Sequence, residues 1–222
     1  MKAAKKNEIT ISQESITKLK AIPKPESKLL FHAFIWAMVW YVLRDGNKPE
    51  HVVVALEKLE KANYHNKRMT EAEIMACVSD IEKAEDKAKC LCNNQEKFTQ
   101  LYSCYRSIML LKTYSARELR SELMEVAEGL TPLTASFMST QFRNMGEIKV
   151  ELEILTPPVL KAMGSRPKKL DLKDYVELEP KYAKSEITVN GAKMSSENLA
   201  ICFLFDGSQE YKPYVKYGAY LF

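Results

Sequence analysis

The 222 residues are 46% apolar and 28% charged, ordinary proportions for a globular chain with a sizeable core, and the formal net charge is +4. No two of the seven glycines stand closer than 11 residues (Gly207 and Gly218). A Walker phosphate loop, a dinucleotide-binding fingerprint and a GxSxG elbow all need closely spaced glycines, and no HExxH occurs, so nucleotide hydrolases, Rossmann dehydrogenases, α/β-hydrolases and zincin proteases are excluded as classes.

Residues 1–28 hold seven lysines, Lys2, Lys5, Lys6, Lys18, Lys20, Lys24 and Lys28, against three acids, so the whole net charge resides there and the remainder is neutral. Residues 1–26 read as a basic flexible arm. Pro23 and Pro25 end any helix begun in Ser12–Ile22, and Ile-Pro-Lys-Pro has the composition of a linker. A basic arm on a neutral body suits an acidic partner: RNA, an anionic membrane surface or an acidic protein face.

Leu29–Leu43 (LLFHAFIWAMVWYVL) is apolar or aromatic except at His32. A helix apolar on every face must be buried on every face. Fifteen helical residues span roughly 22 Å at ~1.5 Å each, short of a ~30 Å hydrocarbon core. No small-residue cleavage site follows, as a signal peptide would require. The segment is therefore expected as the central helix of a helical domain, N-capped by Ser27 and closed at Gly46.

Five further helices are expected before residue 145. Pro49 suits the first turn of the second, whose stripe is Val52, Leu56, Leu59 and Ala62. Asn63–Arg68 is a polar loop, and Thr70 with Glu73 forms a capping box. Ile74, Cys77, Ile81, Ala84, Ala88 and Leu91 make one continuous stripe for a third helix, ended at Asn93-Asn94. A fourth carries Phe98, Leu101, Tyr102, Tyr105, Ile108 and Met109. A fifth follows a second capping box at Ser115–Glu118, with Leu119, Leu123 and Val126 inward and Gly129 as its stop. Thr131-Pro132 opens a sixth, with Leu133, Phe137 and Phe142 inward and Gly146 beyond it.

The hydrophobic period then changes. Ile148, Val150, Leu152 and Ile154 alternate with charged residues, the pattern of a half-buried strand ended by Thr156-Pro157-Pro158. Leu170–Leu172 and Val176–Leu178 alternate more weakly, Asn190-Gly191 is a hairpin turn, and Leu199–Phe205 is a continuous apolar run expected as a strand buried on both faces, with a turn at Asp206-Gly207. Strands following helices argue for an α+β fold: a mainly helical body of about six helices, then a smaller β-rich part. The expected organisation is a basic arm (1–26), a helical domain (27–145), a β-rich subdomain (146–210) and an aromatic C-terminal tail (211–222).

The five cysteines, with no secretory signal before them, read as reduced thiols of a cytoplasmic protein, or of a virion if the chain is viral. Cys90-Leu91-Cys92 is one CxC without the second ligand pair a zinc site needs, so neither a metal nor a cofactor is expected. His32 reads as a hydrogen-bonded core residue, no local signature supports a Cys–His dyad, and the paired carboxylates Asp80/Glu82 and Glu85/Asp86 lie on a solvated helix face. No catalytic residue is assigned.

Candidate phosphate contacts are Lys2, Lys5 and Lys6 on the arm, Arg166, Lys168 and Lys169 in a basic loop, and Arg106, Arg117, Arg120 and Arg143 on the fourth to sixth helices, since lysine and arginine bind phosphates without reading sequence. In the tail Tyr211, Tyr214, Tyr217 and Tyr220 recur every three residues beside Pro213. Three is the period of polyproline II, which would put four rings on one side as a subunit contact. These features read as a non-enzymatic, self-assembling coat- or nucleocapsid-type protein that contacts RNA and forms a homo-oligomer. A peripheral membrane or matrix-type protein, and a small enzyme with a site of dispersed residues, are the alternatives.

Overall fold

The computed structural model describes residues 8–22, 30–111, 116–127, 130–144, 152–165, 170–183, 187–207, 214–217 and 219–221. Among the described residues the fold is mainly helical, with ten helices and five strands of two or three residues each.

Helix α2 (Leu30–Arg44) is the axis of the largest core, and Ala33–Leu43 are all buried. Around it pack α3 (Pro49–Lys61), α4 (Glu71–Val78), α5 (Ala84–Leu111), α6 (Ala116–Val126) and α7 (Pro132–Asn144), which contribute Leu56, Ile74, Leu91, Phe98, Leu123 and Met138 to one continuous cluster. From Ala33 to Leu43 every face of α2 is covered by the protein itself. Among the described residues no helix is long and apolar enough to cross a membrane.

The end of α2 is built in three dimensions. Gly46 takes φ +74°, and a Cβ there would lie 3.2 Å from the Glu82 carboxylate. Asn47 donates to the Leu43 and Asp45 carbonyls at 2.9 and 3.0 Å and accepts from the Glu82 N–H at 2.8 Å. Lys87, only 6% exposed, donates to the Leu43 carbonyl at 3.0 Å and to that of Asp45. A cation on the last carbonyls complements the helix dipole. Burial holds this ammonium below the usual lysine range, against the opposing pull of Asp45 and Glu82.

Among the described residues between 27 and 145 there are six helices, but two boundaries differ from the sequence reading. The single stripe Ile74–Leu91 is split: α4 stops at Val78, Lys83 takes φ 57°, and α5 begins at Ala84. The hydrogen bond from the Glu82 N–H to Asn47 draws this bend onto the end of α2, a tertiary contact without local sequence signature. Asn93-Asn94 does not interrupt α5. Asn94 donates back to the Cys90 carbonyl at 2.9 Å, so its side chain is satisfied within the helix by sharing the acceptor four residues earlier. The Thr70–Glu73 capping box and the Pro49 helix start are present as read. Ser27, Ser115, Gly129 and Gly146 lie outside the described residues.

Among its described residues the C-terminal part is not β-rich. Of the strand expected over 148–154, only 152–154 are described, and they are not a strand; Leu152 and Ile154 are nonetheless buried. Thr156 accepts from the Val159 N–H at 3.3 Å and caps α8 (Pro157–Ala162) rather than ending a strand. Residues 170–183 form α9 (Leu172–Ala183), started by the Asp171 carboxylate accepting from the Asp174 N–H at 2.8 Å. It buries Tyr175, Glu179 and Tyr182, at the spacing of one helix face. Leu199–Phe205 belongs to α10 (Ser196–Gly207), with Asp206 and Gly207 inside the helix rather than in a turn. A continuous apolar run has no period, so it fits a buried helix as well as a buried strand. The Asn190-Gly191 hairpin is present, with both residues at positive φ (48° and 80°), joining β2 (Thr188–Val189) to β3 (Ala192–Lys193).

Residues 8–22 of the expected flexible arm are built into this second core. Strand β1 (Glu8–Ile9) pairs in parallel with β2, and α1 (Gln13–Lys20) packs on α10. Ser12 and Ser15 hydroxyls donate to the Asp206 carboxylate. Burial pushes that carboxyl up, but the two hydroxyls and the Ser12 N–H outweigh it and hold it below the usual range. Ile11, Phe137, Ile154, Val159 and Leu199 form the core beneath. A third, smaller core joins Leu155, Leu160, Tyr175 and Tyr182.

The tail is a hairpin rather than polyproline II. Strands β4 (Tyr214–Lys216) and β5 (Ala219–Leu221) pair antiparallel about Tyr217 at φ 51°, and β5 lies along α2 of its own chain.

Candidate functional site

Helix α3 ends in a Schellman turn: Asn63 sits at φ 65°, its N–H donates to the Glu60 carbonyl at 2.8 Å, and the Tyr64 N–H donates to that of Leu59 at 3.0 Å. Tyr64 then turns inward, and its hydroxyl donates to the Leu91 carbonyl at 3.1 Å. Burial pushes this hydroxyl far above the usual tyrosine range, so it stays a neutral donor. At the other end of the loop the Met69 N–H donates to Gln95 at 3.0 Å, and the Thr70 cap starts α4. The basic tetrapeptide His65-Asn66-Lys67-Arg68 is thereby held between two pinned points.

This loop, the start of α2 and the Gln95–Thr99 stretch of α5 enclose an open cleft of about 490 Å³. Ile35, Tyr64 and Phe98 are its buried floor. Phe31 lines one side, half-buried, held edge-on by Tyr102 at 5.0 Å and 67°. Lys67, Arg68, Glu96 and Thr99 are exposed around the opening. Lys67 pairs with Glu73 at 3.1 Å, whereas Arg68 is in no ion pair among the described residues.

The tail hairpin is seated next to this cleft. The His32 ring meets those of His65 (4.7 Å) and Tyr217 (5.2 Å) edge-on. Lys216 and the Tyr217 hydroxyl both donate to the Glu60 carboxylate, and Lys216 Nζ lies 5.9 Å from the centre of the Trp36 ring. Burial pushes the Glu60 carboxyl up, but the two donors together hold it below the usual range. Burial first, then the neighbouring His32 and Lys216, holds His65 below its ordinary value of 6.5 against the pull of Glu60.

A pH dependence follows. The unfolded chain takes up a proton at His65 before the folded chain does, so this residue's contribution to stability is full above about pH 6.5 and is lost as pH falls through the lower folded value. Thermal melts should show a midpoint that drops between pH 7.5 and 5, and His65→Gln should flatten that part of the profile. An equal drop in the variant would exclude His65 as its source.

Of the arginines and lysines proposed from sequence, only Arg117 and Arg120 have described side chains. Lys2, Lys5, Lys6, Arg166, Lys168 and Lys169 lie outside the described residues, as does Tyr211. Arg106 and Arg143 fall within α5 and α7, and Tyr214 and Tyr220 within the tail strands, but their side chains are not among those described. Arg117 is exposed, with Nε 3.3 Å from Glu179. Arg120 is buried and spent on an ion pair with Glu179, so it faces no phosphate. Tyr217 is half-buried in its own chain. Sequence reading missed the cleft, although its signal was present as four consecutive polar or basic residues between two well-marked helices.

The thiols at Cys77 and Cys202 are pushed up by burial, Cys202 to about 11, and so are held protonated. Among the described residues no three His, Cys, Asp or Glu side chains gather as a metal site. No family model matches the chain, and no curated protein or solved structure matches it significantly.

Proposed function

We propose that the protein is a non-enzymatic, self-assembling RNA-binding protein of the coat or nucleocapsid type. One observation carries this reading: the residues holding the chain's entire net charge precede α2 in the sequence, and Phe31, three residues after Lys28, lines a cleft rimmed by Lys67 and Arg68. Lysines bind a phosphate backbone, and aromatic walls accept bases, the usual combination for single-stranded nucleic acid. Self-assembly runs through the tail in this reading: the hairpin's tethers to Glu60 and His32 are contacts that the hairpin of a neighbouring copy would make equally well.

The test is single-stranded RNA binding measured over a range of salt. Changing Lys2, Lys5 and Lys6 to alanine should weaken binding regardless of RNA sequence and flatten the salt dependence by up to ~0.7 for each lost contact. An unchanged slope would remove the arm from the interface. A chain lacking Lys212–Phe222 that keeps the oligomeric state of the full chain would remove the tail from assembly.

A further inference from the structure

We propose that the cleft between α2, α5 and the loop before α4 is a subsite for one unpaired nucleotide of single-stranded RNA, its base stacked on Phe31 and its phosphate at Arg68. The inference rests on RNA being the partner and says where and how a base is held.

The volume is the first argument. About 490 Å³ lies within the ~300–1,000 Å³ usual for sites that hold a small organic group. The second is preorganisation. Phe31 is fixed by the edge of the Tyr102 ring, and the floor beneath it belongs to the main core, so a stacking surface exists before ligand arrives. The third is charge. Arg68 is exposed and in no ion pair among the described residues, and a guanidinium matches a phosphate with two parallel donors. Glu96 stands at the same opening. A carboxylate there accepts from a ribose hydroxyl or an exocyclic amino group and repels a second phosphate, which favours one nucleotide of a polymer over a free di- or triphosphate.

The site is also sequence-tolerant. Most of its amide groups are engaged within the protein, Asn66 donating to Asn63 at 2.8 Å and Gln95 accepting from the Met69 N–H, and the Gln95 Nε2 donor that lacks a partner is itself buried. Stacking, which every base offers, is then the main attraction, with edge readout secondary. The basic arm cannot substitute for it, because residues 1–28 contain no aromatic side chain.

The test compares two short oligonucleotides of equal length and charge by fluorescence anisotropy on the full chain: one of uridines, the other with every base replaced by an abasic spacer. The base-bearing oligonucleotide should bind about fivefold to a hundredfold tighter, the range of one base–aromatic stack. Phe31→Leu should bring that ratio close to one, and Arg68→Ala, at an exposed position where folding is not at stake, should weaken both oligonucleotides alike. Equal affinities in the unaltered chain would overturn the subsite while leaving RNA binding intact. A base preference that survives Phe31→Leu, or an Arg68→Ala variant that binds as tightly as the parent, would overturn its location. Binding of neither oligonucleotide would overturn both the subsite and the RNA reading beneath it.

Discussion

Replacing Glu179 with alanine should destabilise the protein by roughly 3–5 kcal/mol, the cost of removing one partner from a buried ion pair. Arg120 on α6 and Glu179 on α9 are each 1% exposed. The guanidinium donates to both carboxylate oxygens, at 2.6 and 3.1 Å, and to the Ser136 hydroxyl at 3.2 Å, and its carbon lies 5.2 Å from the centre of the Tyr175 ring. One residue thus joins α6, α7 and α9. A guanidinium cannot shed its proton to escape an apolar site, so removing the carboxylate strands a full charge. Arg120 Nε is already buried without a hydrogen-bond partner, which leaves no spare donor satisfaction to draw on. Arg117, exposed and 3.3 Å from the same carboxylate, gains little and should matter by less than ~1 kcal/mol. The double change Arg120→Met with Glu179→Leu should recover much of the loss, because well-packed apolar residues often replace a buried pair without penalty. Chemical denaturation of Glu179→Ala and the double variant decides the matter. A double variant as unstable as Glu179→Ala would mean that shape, and not stranded charge, sets the cost.

Trp36→Ala should cost a similar ~3–5 kcal/mol, for a different reason. Trp36 is fully buried at the middle of α2, with Tyr64 at 6.4 Å and His65 at 5.7 Å between ring centres. Alanine would leave a cavity among side chains fixed by five surrounding helices, which cannot collapse into it. The indole Nε1 is buried without a hydrogen-bond partner among the described residues. Trp36→Phe removes that unsatisfied donor while refilling most of the space, so it should cost far less, about 1 kcal/mol. Denaturant melts that rank phenylalanine as badly as alanine would show that the indole N–H is not orphaned. A loss below ~1 kcal/mol for alanine would show that α2 is not the core axis.

Local chemistry made several features readable directly from the residues. Leu29–Leu43 has no polar face, so burial was its only stable fate in water, and the helix occupies Leu30–Arg44 at the centre of the main core. Thr70 with Glu73, Pro49, Thr131-Pro132 and Asn190-Gly191 act through backbone groups within a few residues of themselves, and each stands where it was read. Tertiary structure decided what these signals do not reach. The break between α4 and α5 depends on Asn47, more than thirty residues away, and neither half of the stripe records it. The run Leu199–Phe205 and the segment Leu172–Ala183 are helices whose charged residues meet partners on α6 and at α1: Ser12 and Ser15 meet Asp206, and Arg120 meets Glu179. A buried arginine and an exposed one look alike in a sequence, since the difference lies in a carboxylate 59 residues on. The cleft has the same origin: Phe31, Arg68 and Glu96 come from three separate segments, and only the packing of α2 against α5 and the pinned loop makes one site of them. Sequence determines which residues seek burial and where helices start; which helix buries which charge, and where a gap is left between them, is a property of the assembled core.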